Sequence, residues 1–227
     1  MIRYSEIKTK LPREFLLLQG TGCRWRKCTF CSYYTDVSDD PFSVNREVIN
    51  QVSGRYGVLD IINSGSAPEL DEKTLAQLQK TVEEKNIKTL WFESHYMYRH
   101  RLADFAALFP TCEVKFRCGA ETFNGELRES WHKGIPKEVT AADIAHNFKG
   151  VCLLIGVEGQ TFETVKDDIR QAQEYFEYFS INAFVENSTP HRRDNALIER
   201  FRREIMPEIA DKDGIEILLN NTDLGVG

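Results

Sequence analysis

Short apolar runs alternate along the chain with longer segments in which apolar residues recur every three or four positions. The runs have the length of strands and lie at Phe15–Gln19, Val58–Asn63, Thr89–Glu93, Glu113–Arg117, Val151–Ile155, Ser180–Val185 and Ile215–Leu219. The amphipathic segments predict helices near Asn45–Gly54, Asp71–Lys85, Tyr98–Phe109, Asn124–Lys133, Thr161–Phe179 and Asn195–Ile209. Strands that alternate with helices predict a parallel sheet with helices packed outside it.

The number of strand–helix units limits the architecture. A closed eight-stranded α/β barrel usually needs about 250 residues, and the chain has 227. About six units fit better, so we expect an α/β fold, a partial (β/α)6 barrel with an open side, formed by one domain over residues 1–227. In parallel α/β folds the active site lies at the carboxyl ends of the strands. Functional residues are therefore expected in the loops that follow the apolar runs.

Composition and charge exclude several classes of protein. Hydrophobic residues make up 41% of the chain and charged residues 28%, as in globular proteins. No apolar run approaches the roughly 20 residues that cross a bilayer, and the polar amino-terminal segment is unlike a secretory signal. We therefore expect a cytoplasmic protein with no membrane contact. The net charge of −6 disfavours a nucleic-acid partner and favours a small-molecule substrate.

Three of the six cysteines, Cys23, Cys28 and Cys31, crowd into the loop after the first apolar run. Three cations lie between the first two of them and favour the thiolate form: Arg24, Arg26 and Lys27. Three thiolates can ligate three irons of a 4Fe–4S cluster and leave the fourth iron open to a ligand. The alternative is a structural zinc with a distant fourth ligand, in a binding module without turnover. The scattered cysteines are expected to be buried: Cys112, Cys118 and Cys152.

With Phe30 before Cys31, this loop resembles the cluster loop of the radical S-adenosylmethionine (SAM) superfamily, which usually has the pattern C-x3-C-x-aromatic-C. Four residues separate Cys23 from Cys28 here, and we interpret the extra residue as a variant of the pattern. The resemblance implies a 4Fe–4S cluster on the three cysteines, with SAM at the open iron. It also implies reductive cleavage of SAM to a 5′-deoxyadenosyl radical, and a reductant such as flavodoxin or ferredoxin.

The loop after the second apolar run contains Ser64, Gly65 and Ser66. It resembles the second-strand loop of the superfamily, which holds the amino group of the methionine moiety. Many members have Gly-Gly-Glu there, so the two serines are expected to act through hydroxyl and backbone groups. The alternative is a plain strand-to-helix turn.

Two later strand ends also resemble SAM-binding segments of the superfamily. In the fourth, Glu121 is expected to accept from the ribose hydroxyls and Arg117 to pair with the carboxylate, the alternative being a surface ion pair. In the fifth, Gly156 and Glu158 lie in a glycine-containing loop like the one that recognises the adenine edge. Phe30 completes the expected cofactor contacts.

The third apolar run ends with Glu93 and His95, which we interpret as catalytic residues that bind substrate or move a proton. Satisfied polar side chains are the alternative, and His95 equally suits the start of a helix. The short chain, the cysteine spacing and the Ser-Gly-Ser loop resemble the small radical enzymes of 7-deazaguanine metabolism. That resemblance implies a lyase that converts free queuine to preQ1 in queuosine salvage.

Two other functions stay open at the level of the sequence. Within enzymes, the chain could be a radical enzyme that modifies tRNA or a peptide. Outside enzymes, the zinc-stabilised binding module stands. Since the chain has few residues for a lid, a homodimer in which a partner subunit closes the site is a further hypothesis.

Overall fold

The computed structural model describes all residues 1–227, which form two compact units. The first unit comprises residues 1–26, 33–116 and 224–227, and the second comprises residues 27–32 and 117–223. No helix has the length and apolar character needed to span a membrane. All six cysteines are free thiols. Cys118 and Cys152 are buried as expected, whereas Cys112 is half-buried.

The first unit begins with a short antiparallel pair and continues as parallel strands joined by helices. Its strands are β1 (Tyr4–Ile7), β2 (Arg13–Leu18), β3 (Val58–Asn63) and β4 (Thr89–Ser94), and its helices are α1 (Pro41–Ile49), α2 (Glu72–Glu84) and α3 (Leu102–Ala106). β1 is antiparallel to β2, and β2, β3 and β4 are parallel in chain order. The carboxylate of Asp71 accepts from Thr74 N at 2.9 Å and so caps α2 where the sequence predicts its start.

The second unit continues the same alternation. β5 (Glu113–Glu121) begins in the first unit and is followed by α4 (Gly125–Ser130), α5 (Ala141–Ala145), β6 (Gly150–Ile155), α6 (Phe162–Tyr175), β7 (Tyr178–Ala183), α7 (Asn195–Glu204), α8 (Met206–Ile209) and β8 (Ile215–Leu218). β5 to β8 are parallel in chain order. All six residues of β6 are buried, which explains why its sequence is a continuous apolar run.

Each of the seven apolar runs forms a strand, so the predicted alternation is confirmed. The helix boundaries differ more. The predicted helix Thr161–Phe179 was too long, because α6 ends at Tyr175 and Tyr178 begins β7. The predicted helix Asn195–Ile209 is divided into α7 and α8 near Pro207, since proline cannot donate a backbone hydrogen bond inside a helix. The segment Tyr98–Phe109 forms a 3₁₀ turn over Tyr96–Arg101 and the short α3.

Candidate active site

The three clustered cysteines are all half-buried, and they lie in the loop after β2. Cys23 belongs to the first unit, where its sulfur accepts from Arg26 N at 3.4 Å. Cys28 and Cys31 belong to the second unit, where Cys31 N donates to Cys28 O at 3.4 Å. No group of three or more His, Cys, Asp or Glu side chains in the structure is arranged to hold a single metal ion. The assignment of the three thiols as metal ligands stays a prediction.

Phe30 anchors the part of the cysteine loop that lies in the second unit. Its ring is 7% exposed and meets Trp131 edge-on at 5.5 Å. Asn187 Nδ2 donates to Phe30 O at 2.9 Å, and Thr29 Oγ1 is hydrogen-bonded to His191 Nε2 at 2.8 Å. The surrounding apolar cluster also contains Leu154, Val157 and Phe184, with Cys28 and Cys31 packed against it. Phe30 thus fixes the backbone between two cysteines, and its contact with a cofactor stays a prediction.

The loop after β3, which is the second-strand loop of the sequence analysis, contains two serines that bind backbone amides of the first unit. Ser64 Oγ accepts from Gly20 N at 2.9 Å, and Ser66 Oγ accepts from His95 N at 3.0 Å. Both residues are buried. Their hydroxyls therefore fix the ends of β2 and β4.

Gly65 allows a close approach between the second-strand loop and Cys23. A Cβ on Gly65 would lie 2.1 Å from Glu69 Oε2 and 3.2 Å from Cys23 Cα. The first distance is shorter than real Cβ contacts and the second is tighter than most of them, and Glu69 Oε2 is held in place by Ser66 N, so this cradle favours glycine. A bare backbone held against the cysteine loop suits the predicted role of binding the SAM amino group.

Glu69 is the residue that the sequence-based site assignment missed. Its Oε1 accepts from Arg24 N at 3.0 Å and from Tyr98 Oη at 2.7 Å, while Oε2 accepts from Ser66 N at 2.9 Å. Burial, reinforced by Glu69, raises the pKa of Tyr98 to about 12. The only sequence signal was its place at the end of the Ser-Gly-Ser loop. Around it lies a pocket of about 430 Å³ lined by Thr21, Gly22, Cys23, Arg24, Arg26, Pro68, Glu69, Leu70 and Tyr98.

His95 follows β4 directly and is buried. Its Nδ1 accepts from Met97 N at 3.1 Å, so the neutral ring carries its hydrogen on Nε2. The ring stacks on Trp25 of the cysteine loop, with centroids 5.5 Å apart. His95 also caps the 3₁₀ turn that follows, which matches its alternative as a helix-start residue. Glu93 is half-buried in β4, and catalytic roles for both stay predictions.

Glu121 lies at the carboxyl end of β5 in a buried ion pair. Its Oε1 is 2.8 Å from Lys133 Nζ, and the two side chains are 13% and 9% exposed. The alternative considered from the sequence was an ion pair on the surface. The ion pair of Glu121 with Lys133 is instead largely buried. Burial lowers the pKa of Lys133, but attraction to Glu121 and Cys28 outweighs burial and raises it overall. Glu121 has φ +68° next to a register shift in β5, a strained conformation of the kind that clusters at functional sites.

Arg117 lies lower on the same strand. It is buried, and its guanidinium is 5.6 Å from the centre of the Tyr178 ring. Its backbone pairs with Gly150, the first residue of β6, whereas Glu121 pairs with Leu153. Arg117 is thus further from the carboxyl ends of the strands than Glu121 is.

The loop after β6, which is the fifth apolar run of the sequence, packs against α7 through Gly156. The φ of Gly156 is +79°. A Cβ there would lie 2.4 Å from Ile198 Cδ1, so the glycine serves both the turn and the packing. Gly156 O accepts from Asp194 N at 2.8 Å, and Glu158 N donates to Arg192 O at 2.9 Å. The Glu158 side chain is exposed. Contacts of both residues with adenine stay predictions.

Comparison with solved structures identifies the fold. The chain matches queuine lyase from Clostridium spiroforme bound to SAM and queuine with a TM-score of 0.95 and 37% identity, over 100% of this chain and 99% of that one. Streptococcus suis SuiB shares the fold at TM-score 0.57 and 16% identity, over 92% of this chain and 50% of that one. Methylornithine synthase (PylB) shares it at 0.58 and 14%, over 92% and 73%. No protein-family model and no curated protein sequence matches the chain.

The full-length match confirms the predicted fold class, an open partial (β/α)6 barrel of the radical SAM type, and confirms that the chain is an enzyme, a lyase. Its cofactors are a 4Fe–4S cluster and SAM. The thiols of the cysteine loop have the donor chemistry for the cluster, and the Gly65 cradle suits SAM. The chain belongs to the queuine lyase family of radical SAM enzymes.

Proposed function

We propose that this enzyme cleaves free queuine and releases preQ1 for queuosine salvage. The observation that carries the proposal is the match, over the full length of both chains, to a queuine lyase bound to SAM and queuine. The acidic net charge of −6 agrees with a small free base as the substrate.

We propose Cys23, Cys28 and Cys31 as the ligands of the cluster. With SAM bound, the reduced cluster would supply the one electron that cleaves the carbon–sulfur bond of SAM, which would give methionine and a 5′-deoxyadenosyl radical able to take a hydrogen atom from the substrate. The chain's own contribution in the first unit is positioning, which starts from Ser64 and Ser66. Their hydroxyls hold the backbone of Gly20 and His95, so that the bare backbone of Gly65 lies against Cys23.

We assign the other strand-end residues by their geometry. Lys133 holds one carboxylate oxygen of Glu121, and the other oxygen is the proposed acceptor of the ribose hydroxyls. Arg117 is the proposed partner of the SAM carboxylate. Gly156 and Glu158 are the proposed contacts of the adenine edge, and Phe30 is a further proposed cofactor contact. For substrate we propose Glu93 and His95, the latter donating through Nε2–H because its Nδ1 is occupied by Met97 N.

Anaerobic reconstitution with iron, sulfide, reductant and SAM tests this function. We expect about four irons per chain, as a 4Fe–4S cluster requires, and formation of 5′-deoxyadenosine and preQ1 when queuine is added. Cys28→Ala should lose the cluster and both products, while Cys112→Ala, outside the cysteine loop, should keep them. Cleavage of SAM without preQ1 would contradict the substrate. A colourless protein with one zinc would contradict radical chemistry altogether.

We also propose a flavodoxin or ferredoxin as the reductant and a homodimer as the active form. The proposed location is the reducing cytoplasm, and the six free thiols agree with that location.

Dilution tests the dimer directly. Specific activity should fall as the chain is diluted below its dissociation constant, and full activity of a monomer would contradict the dimer. Replacing dithionite with a purified flavodoxin or ferredoxin tests the reductant.

A further inference from the structure

The turn that ends α4 directs the side chain of Lys133 into the interior of the second unit. His132 has a φ of +51°, in the left-handed region where a glycine is usual. His132 N donates to Glu129 O at 3.0 Å and Lys133 N donates to Arg128 O at 2.9 Å, which are the two bonds of a Schellman motif. The Lys133 side chain is only 9% exposed, so this strained turn buries a charged group.

The same turn is attached to the cysteine loop. Trp131 O accepts from Thr29 N at 3.0 Å, and the Trp131 ring packs on Phe30. Lys133 Nζ lies over the Phe30 ring, 5.7 Å from its centre. Thr29 and Phe30 are the two residues between the second and third clustered cysteines. The ammonium group is therefore held beside the segment that spaces two of the proposed cluster ligands.

Two negative groups in the second unit attract this ammonium. Glu121 Oε1 lies 2.8 Å from Lys133 Nζ, and this ion pair compensates for the burial of the charge. The Cys28 thiolate adds a further attraction through space. Because the group is buried, water screens this attraction little. Lys133 thus carries a fixed positive charge whose field acts at Cys28.

We propose that the positive charge of Lys133 raises the reduction potential of the cluster held by Cys28. Reduction takes one electron from the reductant and adds one negative charge to the cluster, so a nearby cation stabilises the reduced form more than the oxidised form. The field acts across the protein and needs no contact between Lys133 and the cluster. This inference rests on the proposed function, because it needs Cys28 as a cluster ligand.

Redox titration of the reconstituted proteins without SAM, followed by electron paramagnetic resonance, tests the charge. Lys133→Met removes the charge and keeps the length of the side chain, and it should lower the ratio of reduced to oxidised cluster at a fixed potential about tenfold. For a one-electron couple this equals a shift of about 59 mV to more negative values. Lys133→Arg should keep most of the wild-type potential. Lys137→Met, at a cation that is 57% exposed, should leave it unchanged.

A second comparison separates the charge of Lys133 from the loss of its ion pair. Lys133→Met leaves the buried carboxylate of Glu121 without its partner, which can itself prevent folding or cluster loading. In Glu121→Gln the amide oxygen still accepts from Lys133. The double variant Lys133→Met/Glu121→Gln then removes the cation and leaves no unpaired carboxylate. Its cluster potential should be more negative than that of Glu121→Gln by about the same amount.

Equal potentials in Glu121→Gln and in the double variant would overturn the inference, as would an equal shift in Lys137→Met. A shift in Lys133→Arg as large as in Lys133→Met would also overturn it, because packing and not charge would then be the cause. In each of these results a wild type that loads its cluster and forms preQ1 leaves the proposed function intact. A wild-type chain that loads no cluster would instead overturn the proposed function, and this inference with it.

Discussion

At the scale of single residues, the first unit's part of the site is organised by side chains that bind backbone amides. Glu69 is the clearest case, since its two carboxylate oxygens accept from Arg24 N, Tyr98 Oη and Ser66 N. One carboxylate therefore connects three segments: the cysteine loop, the loop after β3 and the turn after β4. A half-buried acceptor with three donors is costly to disturb, because a donor that loses its partner away from water carries its desolvation penalty.

Glu69→Gln tests this residue. The amide keeps the shape but presents an N–H group to a donor, so we expect a loss of about 1–3 kcal/mol in the free energy of unfolding, measured by urea titration. Cluster loading should fall too, because Arg24 follows Cys23 directly. The control is Glu84→Gln at the exposed end of α2, where a surface pair with Lys80 is worth about 0.5 kcal/mol or less. Equal stability of the two variants would contradict the assignment.

Asp168 in α6 predicts a pH dependence of stability. It is 3% exposed and accepts from Thr122 Oγ1 and Phe123 N, both at 2.7 Å. Burial raises its pKa to about 7, despite these bonds, which act to lower it. A carboxyl whose pKa is raised on folding contributes stability that is complete below the unfolded-state pKa, about 3.9, and lost as the pH rises through about 7.

The free energy of unfolding should therefore fall by a few kcal/mol between about pH 4 and pH 8 through this one group. In Asp168→Asn that share of the decline should vanish. Urea titrations of both proteins at several pH values measure it, with Asp167→Asn, at the exposed neighbouring position, as the control. A pH profile of Asp168→Asn that runs parallel to the wild type would show that Asp168 titrates in its ordinary range.

At the scale of elements, the apolar runs and the helix caps in the sequence were the features that predicted the strands and helices best. β6 is buried along its whole length and α2 has a carboxylate cap, so both were evident from the sequence. β1 was missed because its four residues are only half-buried and show no clear alternation. The partners of Glu69 and the contact of Lys133 with the Phe30 ring were beyond sequence reasoning, since they depend on segments far apart in the chain.

The packing of the loop after β6 on α7 gives a prediction with a matched control. Gly156 and Gly159 both have positive φ, +79° and +94°, but a Cβ would meet Ile198 only at Gly156 and would meet nothing at Gly159. Both alanine variants should lose about 1 kcal/mol through backbone strain. Gly156→Ala should lose about 1–3 kcal/mol more through overpacking, measured by urea titration. Similar losses in the two variants would contradict tight packing at Ile198.

At the scale of the whole molecule, we predict that residues 1–227 unfold as one domain. The chain passes between the two compact units at residues 26–27, 32–33, 116–117 and 223–224, and β5 contributes residues to both. Neither unit is a continuous piece of chain that can complete its strands alone. Scanning calorimetry should therefore show one transition with equal calorimetric and van't Hoff enthalpies. Two separate transitions would identify two domains.

The charge distribution decides between a free base and tRNA as the substrate. The longer of the two basic segments, residues 191–203, is neutralised by acidic neighbours, with ion pairs Arg192–Glu186, Arg200–Glu204 and Arg202–Glu199 at 3.7, 3.1 and 3.0 Å. Binding to tRNA needs free cations that displace counterions from phosphates. These arginines are already paired with carboxylates, and the whole chain carries a net charge of −6.

We therefore expect no saturable binding of bulk tRNA below about 10 μM protein at 150 mM salt, as measured by fluorescence anisotropy. Turnover of queuine should be unaffected by added tRNA and nearly independent of salt, because a small base releases few counterions. Glu186→Gln and Glu199→Gln would free two of the arginines and should strengthen residual tRNA binding at low salt. Tight tRNA binding by the wild type that weakens steeply with salt would favour a tRNA-modifying enzyme, since only phosphate contacts produce that dependence.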